Sequence, residues 1–125
     1  MWGPPGHAYV YLCYGIHHLF NVVTSVAGDP QAVLVRGGSA LDGVDTILKR
    51  RVRNSIDDRL LVGPGSLAQG LGIRTDLSGE SLLGDRIWIE DHAIIIRDNE
   101  IITGPRVGVD YAGEDAERPY RFRVS

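Results

Sequence analysis

From Ala8 onward the apolar positions gather into two runs, "AYVYLCY" at residues 8 to 14 and "LFNVVTSV" at residues 19 to 26, with Gly15 between them. Aromatic and β-branched side chains suit a pleated, half-buried surface, and an intervening glycine suits a tight reversal. The pattern predicts a β-hairpin with its tip at about Tyr14 to His17. "AGDPQ" then predicts a turn, and "AVLVR", residues 32 to 36, predicts a third strand closed by Gly37 and Gly38.

The period changes at about Asp42. Val44, Ile47, Leu48 and Val52 fit one face of a helix running to Arg53, with Asp42 and Asp45 near its start and Lys49, Arg50, Arg51 and Arg53 near its end, the arrangement the helix dipole favours. "GPGSLAQGLGI" places a glycine–proline turn before a brief helix from about Ser66. Beyond it "RIWIE", "AIIIRD", "EIITG", "RVGVDY" and "YRFRV" read as short strands. This order predicts an α+β fold: a single domain over residues 1–125, with antiparallel sheet, a protruding hairpin and one or two helices. No repeat, low-complexity tract or linker interrupts it.

Composition adds limits. A chain of 125 residues with 43% apolar and 23% charged residues can bury one core. Its formal charge of −3 supplies no global field for nucleic acid, so an anionic partner must be met by a local patch. Cys13 is the only cysteine, which excludes an intrachain disulfide and suits a small buried hydrophobe in a reducing compartment. No apolar run approaches the ~20 residues of a membrane helix, and no signal peptide or anchor is read, so the expectation is a cytoplasmic protein without a membrane partner.

Few residues suggest chemistry. His17 and His18 are adjacent, and neighbours on a strand point to opposite faces, so a shared metal is not expected. A nucleophilic pair of Cys13 with His17 or His18 is conceivable at a hairpin, but no electropositive helix end is visible beside Cys13. "GPGSLAQG" lacks the lysine and hydroxyl of a P-loop. "KRRVR", residues 49 to 53, fits a solvated helix end better than a phosphate clamp. Tyr9, Tyr11 and Cys13 alternate with Val10, Leu12 and Tyr14, which simple sheet packing would explain. Tyr14 is different, because a large ring beside Gly15 stands where little core can cover it. An aromatic wedge on a hairpin is one device for opening a base step, and stacked rings can receive an extruded base.

"PGHAYVYLCYGIHHLFNVVT", "AVLVR", "GPGSLAQGLGI" and "PRVGVDYAGEDAERPYRFRV", in that order, resemble the alkyladenine (3-methyladenine) DNA glycosylases over essentially the whole chain. The resemblance implies a base-excision-repair hydrolase acting without a cofactor on double-stranded DNA that contains damaged purines. It flips an alkylated or deaminated purine and cleaves its N-glycosidic bond. Carried over by position, Tyr11 matches the tyrosine that stacks on the flipped base, and Tyr14 the tyrosine that fills the gap in the duplex. Asn21 matches the pocket asparagine that excludes guanine, and Arg36 the arginine that holds the DNA backbone. Ile16 and His17 flank the wedge. In a bacterium the expected location is the nucleoid.

Two departures stand out. Ser66 occupies a place where the family commonly has lysine. The family's catalytic glutamate lies upstream of the hairpin, whereas the first carboxylate of this chain is Asp29, in the turn beyond it. Hydrolysis at C1′ needs a carboxylate to take the water's proton and to stabilise the positive charge developing on the sugar. No catalytic residue is therefore assigned, and the expectation is that the amino-terminal part of the family fold is missing, as a start codon placed too late would cause, and that this chain alone is inactive. The alternative is a non-catalytic remnant that binds distorted DNA through its hairpin wedge. No obligatory protein partner is evident, while an exposed sheet edge would permit self-association.

Overall fold

The hairpin forms where the apolar pattern places it. In the computed structural model, which describes residues 4–26, 31–57, 59–107 and 118–124, β1 (Ala8–Cys13) pairs antiparallel with β2 (His17–Val23). β2 pairs antiparallel with β3 (Ala32–Leu34), giving the order β1-β2-β3. Tyr9 faces Asn21 across the ladder, Val10 faces Phe20, and Cys13 faces His17. Because side chains alternate along a strand, Ala8, Val10, Phe20 and Val22 share one side of the hairpin, and Tyr9, Tyr11, Leu19 and Asn21 share the other.

The first side is the core side. Ala8, Val10 and Phe20 pack with Ile47, Leu61, Leu67 and Ala68. Ile47 comes from α1 (Val44–Arg51), while Leu67 and Ala68 come from α2 (Pro64–Leu71). Fully burying a side chain of this size contributes roughly 1.5–3 kcal/mol, so this side anchors the base of the hairpin. The free edge of β1 is tied down as well. Ala8 N–H donates to the Glu80 carbonyl at 2.8 Å, Gly79 N–H to the Ala8 carbonyl at 2.8 Å, and Val10 N–H to Ser78 Oγ at 3.1 Å. Arg86 staples the turn behind these bonds, reaching Glu80 at 2.7 Å and Asp76 at 3.1 Å. The hydrogen bond and charge of Glu80, followed by those of Asp76, raise the Arg86 pKa above its ordinary value.

Both helices are shorter or earlier than their sequence patterns suggest, for local reasons. Gly43 precedes α1 in a left-handed conformation, φ 67°, leaving Asp42 outside the helix. Val52 ends it, also left-handed at φ 54°. α2 begins at Pro64, whose fixed φ and missing N–H suit a first helical position, and it ends at left-handed Gly72. The helices approach closely at Gly70, where a Cβ would overlap Leu61 Cδ2 and lie 3.2 Å from Ile47 Cγ2.

The basic run at the end of α1 is more than a solvated face. Arg50 Nη1 donates to the Gly70 carbonyl at 3.2 Å, Arg51 Nε to the Leu60 carbonyl at 3.1 Å, and Arg51 Nη1 to Gln69 Oε1 at 2.6 Å. Arg53 pairs with Asp57 at 3.0 Å. Two arginines thus brace α1 to the carboxyl end of α2, where unpaired carbonyls favour positive charge.

Residues 1–89 form one compact unit and residues 90–125 another. In the second, β4 (Ile101–Gly104) pairs antiparallel with β5 (Arg121–Val124). The strands expected from "RIWIE" and "AIIIRD" do not form. Of the first, the backbone pairing shown among the described residues is an isolated bridge between Trp88 and Leu83 and a bond from Ile89 N–H to the Leu82 carbonyl, 3.0 Å. The second is interrupted before it starts: Asp91 Oδ1 accepts from Ala93 N–H at 2.8 Å, and Ala93 turns left-handed at φ 58°. Ile94 and Ile95 are then 75% and 84% exposed, and no partner strand is present for them among the described residues. The turn expected at residues 27–31, apart from Gln31, and most of "RVGVDY" lie outside the described residues. The α+β class, the antiparallel pairing, the protruding hairpin and the two helices are as the sequence predicts.

Candidate nucleic-acid interface

The tip of the hairpin is a strained turn. Ile16 N–H donates to the Cys13 carbonyl at 3.0 Å, closing a turn whose central residues, Tyr14 and Gly15, have φ of 52° and 68°. Two positive φ values in succession are what a type I′ reversal demands, and the right-handed twist of paired strands favours that turn. Glycine meets the demand at no cost. Tyrosine does not: the left-handed region costs an L-residue roughly 1–2 kcal/mol. The strained ring is also 92% exposed, and Ile16 beside it is 71% exposed. Strain and an uncovered aromatic ring at one position do not serve packing, and a site is the usual place for such a residue.

Behind the tip lies the side of the sheet opposite Ala8, Val10 and Phe20. Tyr11 stands there, partly exposed, one diagonal step from Asn21, which is 7% exposed. Asn21 Nδ2 donates to the Tyr9 carbonyl at 3.3 Å and to the Leu19 carbonyl at 3.4 Å. These two bonds tie the amide nitrogen of Asn21 to the backbone of both strands. Tyr9, which the sequence does not single out, completes this side: its ring centroid lies 5.5 Å from that of Tyr11, with the planes tilted by 32°. The signal for it was present in the alternation of residues 9 and 11.

A third group gathers at the start of α2. His17 opens β2 against Gly65, where a Cβ would come 2.8 Å from His17 Nδ1. The Arg36 carbonyl accepts from Gly63 N–H at 2.8 Å, and Gly38 N–H donates to the Leu61 carbonyl at 3.1 Å. These bonds stitch the segment after β3 to the start of α2, leaving Arg36 half-buried beside it. The fold therefore joins Tyr11 with Asn21 on one side of the sheet, Tyr14 with Ile16 at the tip, and His17 and Arg36 each with the first residues of α2. His17 and His18 fall on opposite sides of the sheet, as strand neighbours must.

No carboxylate belongs to β1, β2, β3 or the turn at the tip. Among the described residues no group of three or more His, Cys, Asp and Glu side chains is placed to hold a metal ion, and no helix is long and apolar enough to cross a membrane. A shallow, open hollow of about 430 Å³ is lined by Leu83, Gly84, Asp85, Trp88 and Ile89. None of the hairpin residues contributes to it, and its single carboxylate has no nucleophile or base beside it in that lining.

The whole chain, residues 1–125, matches the family model for methylpurine-DNA glycosylase. A protein of Chlorobaculum parvum is 44% identical over 126 residues, a match that covers 100% of this chain and 57% of that relative. A protein of Bacillus mycoides is 42% identical over 132 residues, covering 98% of this chain and 64% of the relative. For one of Bacillus thuringiensis the figures are 42%, 130 residues, 98% and 63%. Each is named "Putative 3-methyladenine DNA glycosylase". The chain thus spans less than two thirds of the length of these relatives. With the full length of the chain matched and the hairpin, sheet and helices in place, this protein belongs to the methylpurine-DNA glycosylase family.

Proposed function

We propose that this chain supplies the DNA-engaging part of a base-excision-repair glycosylase that flips alkylated or deaminated purines from duplex DNA and hydrolyses their N-glycosidic bond. The observation that carries this reading is Tyr14: an aromatic ring, 92% exposed, held at the tip of a hairpin by a backbone conformation that tyrosine adopts only at a cost. Extruding a base costs a few kcal/mol, least where the pair is already damaged. A ring that fills the vacated space returns energy on that scale, since aromatic–base stacking is worth ~1–3 kcal/mol. In this reading Ile16 and His17 flank the wedge, and Arg36 holds the backbone beside the start of α2. Tyr11 offers its face to the extruded purine, and the side chain of Asn21 closes the wall against a guanine amino group.

Hydrolysis requires more. Water attacks C1′ and loses its proton to a general base, while the bond to the base nitrogen breaks and its electron pair leaves with the purine. The sheet that carries Tyr11 and Asn21 has no carboxylate, and Lys49, the only lysine, is on α1 rather than on the hairpin. The reading therefore assigns binding and discrimination to this chain's hairpin and proton abstraction to a carboxylate beyond it, in the segment that the family resemblance puts upstream. The same observation favours a second reading, a non-catalytic binder of distorted DNA. Binding of the chain to abasic and intact duplexes, with Tyr14→Ala as the comparison, tests the shared claim. Equal affinity for both duplexes in the parent chain would overturn it.

A further inference from the structure

We propose that the hollow formed by Leu83, Gly84, Asp85, Trp88 and Ile89 is a docking site for an arginine side chain flanked by apolar residues, presented by a partner polypeptide. The proposal goes beyond the DNA-engaging reading and does not depend on it. A short return of the chain builds the hollow. Leu83 and Trp88 form an antiparallel bridge, and Ile89 N–H donates to the Leu82 carbonyl at 3.0 Å. Leu83 N–H donates to Ser81 Oγ at 3.1 Å, and Gly84 N–H to the Ser81 carbonyl at 3.2 Å. Leu82 and Ile87 anchor this return in the core. Their sequence neighbours Leu83 and Trp88 are exposed by 89% and 52%, and Ile89 by 56%, so three large apolar side chains border one concavity outside the core. Apolar surface gathered in this way is a mark of a contact site.

The lining selects the occupant. Asp85 is its single charged side chain, is exposed, and joins no ion pair among the described residues. Arg86 beside it does not cancel that charge, because its guanidinium is committed to Glu80 at 2.7 Å and to Asp76 at 3.1 Å. Over residues 74–89 the carboxylates of Asp76, Glu80 and Asp85 stand against the guanidiniums of Arg74 and Arg86, so the surplus is negative. A cation is attracted to the face of an indole ring, and a guanidinium can both stack on such a ring and pair its fork with a carboxylate. The site asks of Trp88 the exposed part of its ring and takes nothing from its indole N–H. Shape then separates a free cation from one carried on a chain. The hollow, about 430 Å³, is shallow and open, whereas sites for small molecules enclose most of their ligand. An arginine on a polypeptide brings its own cover: the residues on either side of it can lie on Leu83 and Ile89 and shield the ion pair from water.

The test titrates the full chain with three probes: a capped pentapeptide with arginine between leucines, the same peptide with citrulline in place of arginine, and Nα-acetylarginine amide. Calorimetry reads the affinities, and NMR shifts of the Leu83 and Ile89 methyl groups read the place. The arginine peptide is expected to bind and to shift the methyl signals of both residues. Citrulline keeps the shape and loses the charge, so its peptide is expected to bind about two- to five-fold more weakly, the scale of one exposed ion pair or cation–π contact. Asp85→Asn and Trp88→Leu are each expected to weaken the arginine peptide by about the same factor. The citrulline comparison uses the parent chain, so a folding defect in a variant cannot imitate the result. Equal affinity of the arginine and citrulline peptides overturns the proposal, as does absence of binding at millimolar peptide or binding without shifts at Leu83 and Ile89. If Nα-acetylarginine amide binds as tightly as the peptide, the hollow is a small-cation site and the docking proposal falls. If Asp85→Asn turns a self-associated chain into a monomer, the occupant is a second copy of this chain, and the proposal of a separate partner falls.

Discussion

Gly65 in the first turn of α2 lies against the ring of His17 at the start of β2, so close that a Cβ would come within 2.8 Å of Nδ1. A second glycine of the same helix, Gly70, lies against Leu61 and Ile47. The two contacts differ in what can yield. His17 is an exposed ring at the edge of the site, while Leu61 and Ile47 are buried in the core. Gly70→Ala is therefore expected to destabilise the chain by about 1–3 kcal/mol, the usual cost of overpacking. Gly65→Ala should cost less stability and shift His17 instead, changing DNA affinity. Denaturant unfolding and DNA titration of both variants check this. Equal stability losses with equal binding would show that α2 does not position the hairpin.

Val52 offers the opposite sign. It ends α1 at φ 54° and is 88% exposed, so a β-branched side chain holds a strained conformation with nothing to gain from packing. Glycine removes the clash that disfavours the left-handed region. Val52→Gly is expected to raise stability by about 1 kcal/mol, read as a higher midpoint in urea at unchanged slope.

The hairpin was legible in the sequence because alternation and a single glycine are local signals, and the position of Tyr14 followed from both. The bounds of α1 were less so: its apolar spacing fits residues 42–53, yet left-handed Gly43 and Val52 trim it to 44–51. Spacing cannot register those dihedral angles. The bracing by Arg50 and Arg51 was invisible for a different reason, since Gly70 and Gln69 are brought to them only by the packing of α1 on α2. "AIIIRD" misled because β-propensity acts only where a partner strand exists, and none is present for this segment among the described residues. Of the proposed base pocket, Tyr11 and Asn21 were named through family resemblance, and the register that puts them on one side agrees with period-two counting. The contact between the Tyr9 and Tyr11 rings depended on side-chain rotamers and could not be read.

Exposed apolar surface in the second unit leads to a prediction about association. Besides Ile94 and Ile95, the large side chains Phe122 and Val124 on β5 are exposed, and a two-stranded sheet is marginal by itself. The isolated chain is expected to self-associate at micromolar concentration, eluting early and broadly in size-exclusion chromatography. Amide exchange should show weak protection for β4 and β5. A monodisperse monomer with strong protection there would mean that the chain covers this surface itself.

Base release is expected to fail. With no carboxylate on the sheet that carries Tyr11 and Asn21, the chain alone should liberate neither alkylated purine nor hypoxanthine from duplex DNA above background. Product release over several turnovers would show that a general base lies within residues 1–125. Substituting the acidic residues one at a time, Asp29 first, would then find it.

Tyr14 and Arg36 are expected to fail in different ways, and the difference separates a wedge from a charge. A wedge contributes only where a gap is cheap to open, so Tyr14→Ala should weaken binding to abasic or mismatched duplex by ~1–3 kcal/mol and leave intact duplex nearly unaffected. A backbone contact is indifferent to the base beside it. Arg36→Ala should weaken both complexes alike and lower the slope of log K against log salt by about one ion pair. Titrations at several salt concentrations read both effects from the same curves. Equal losses with Tyr14→Ala on damaged and intact duplex would make Tyr14 a general surface contact, and an unchanged salt slope with Arg36→Ala would remove the phosphate from its role. If the parent chain binds no duplex even at low salt, the exposed ring at the tip is not a DNA wedge in this chain, and the DNA-engaging function proposed for it falls.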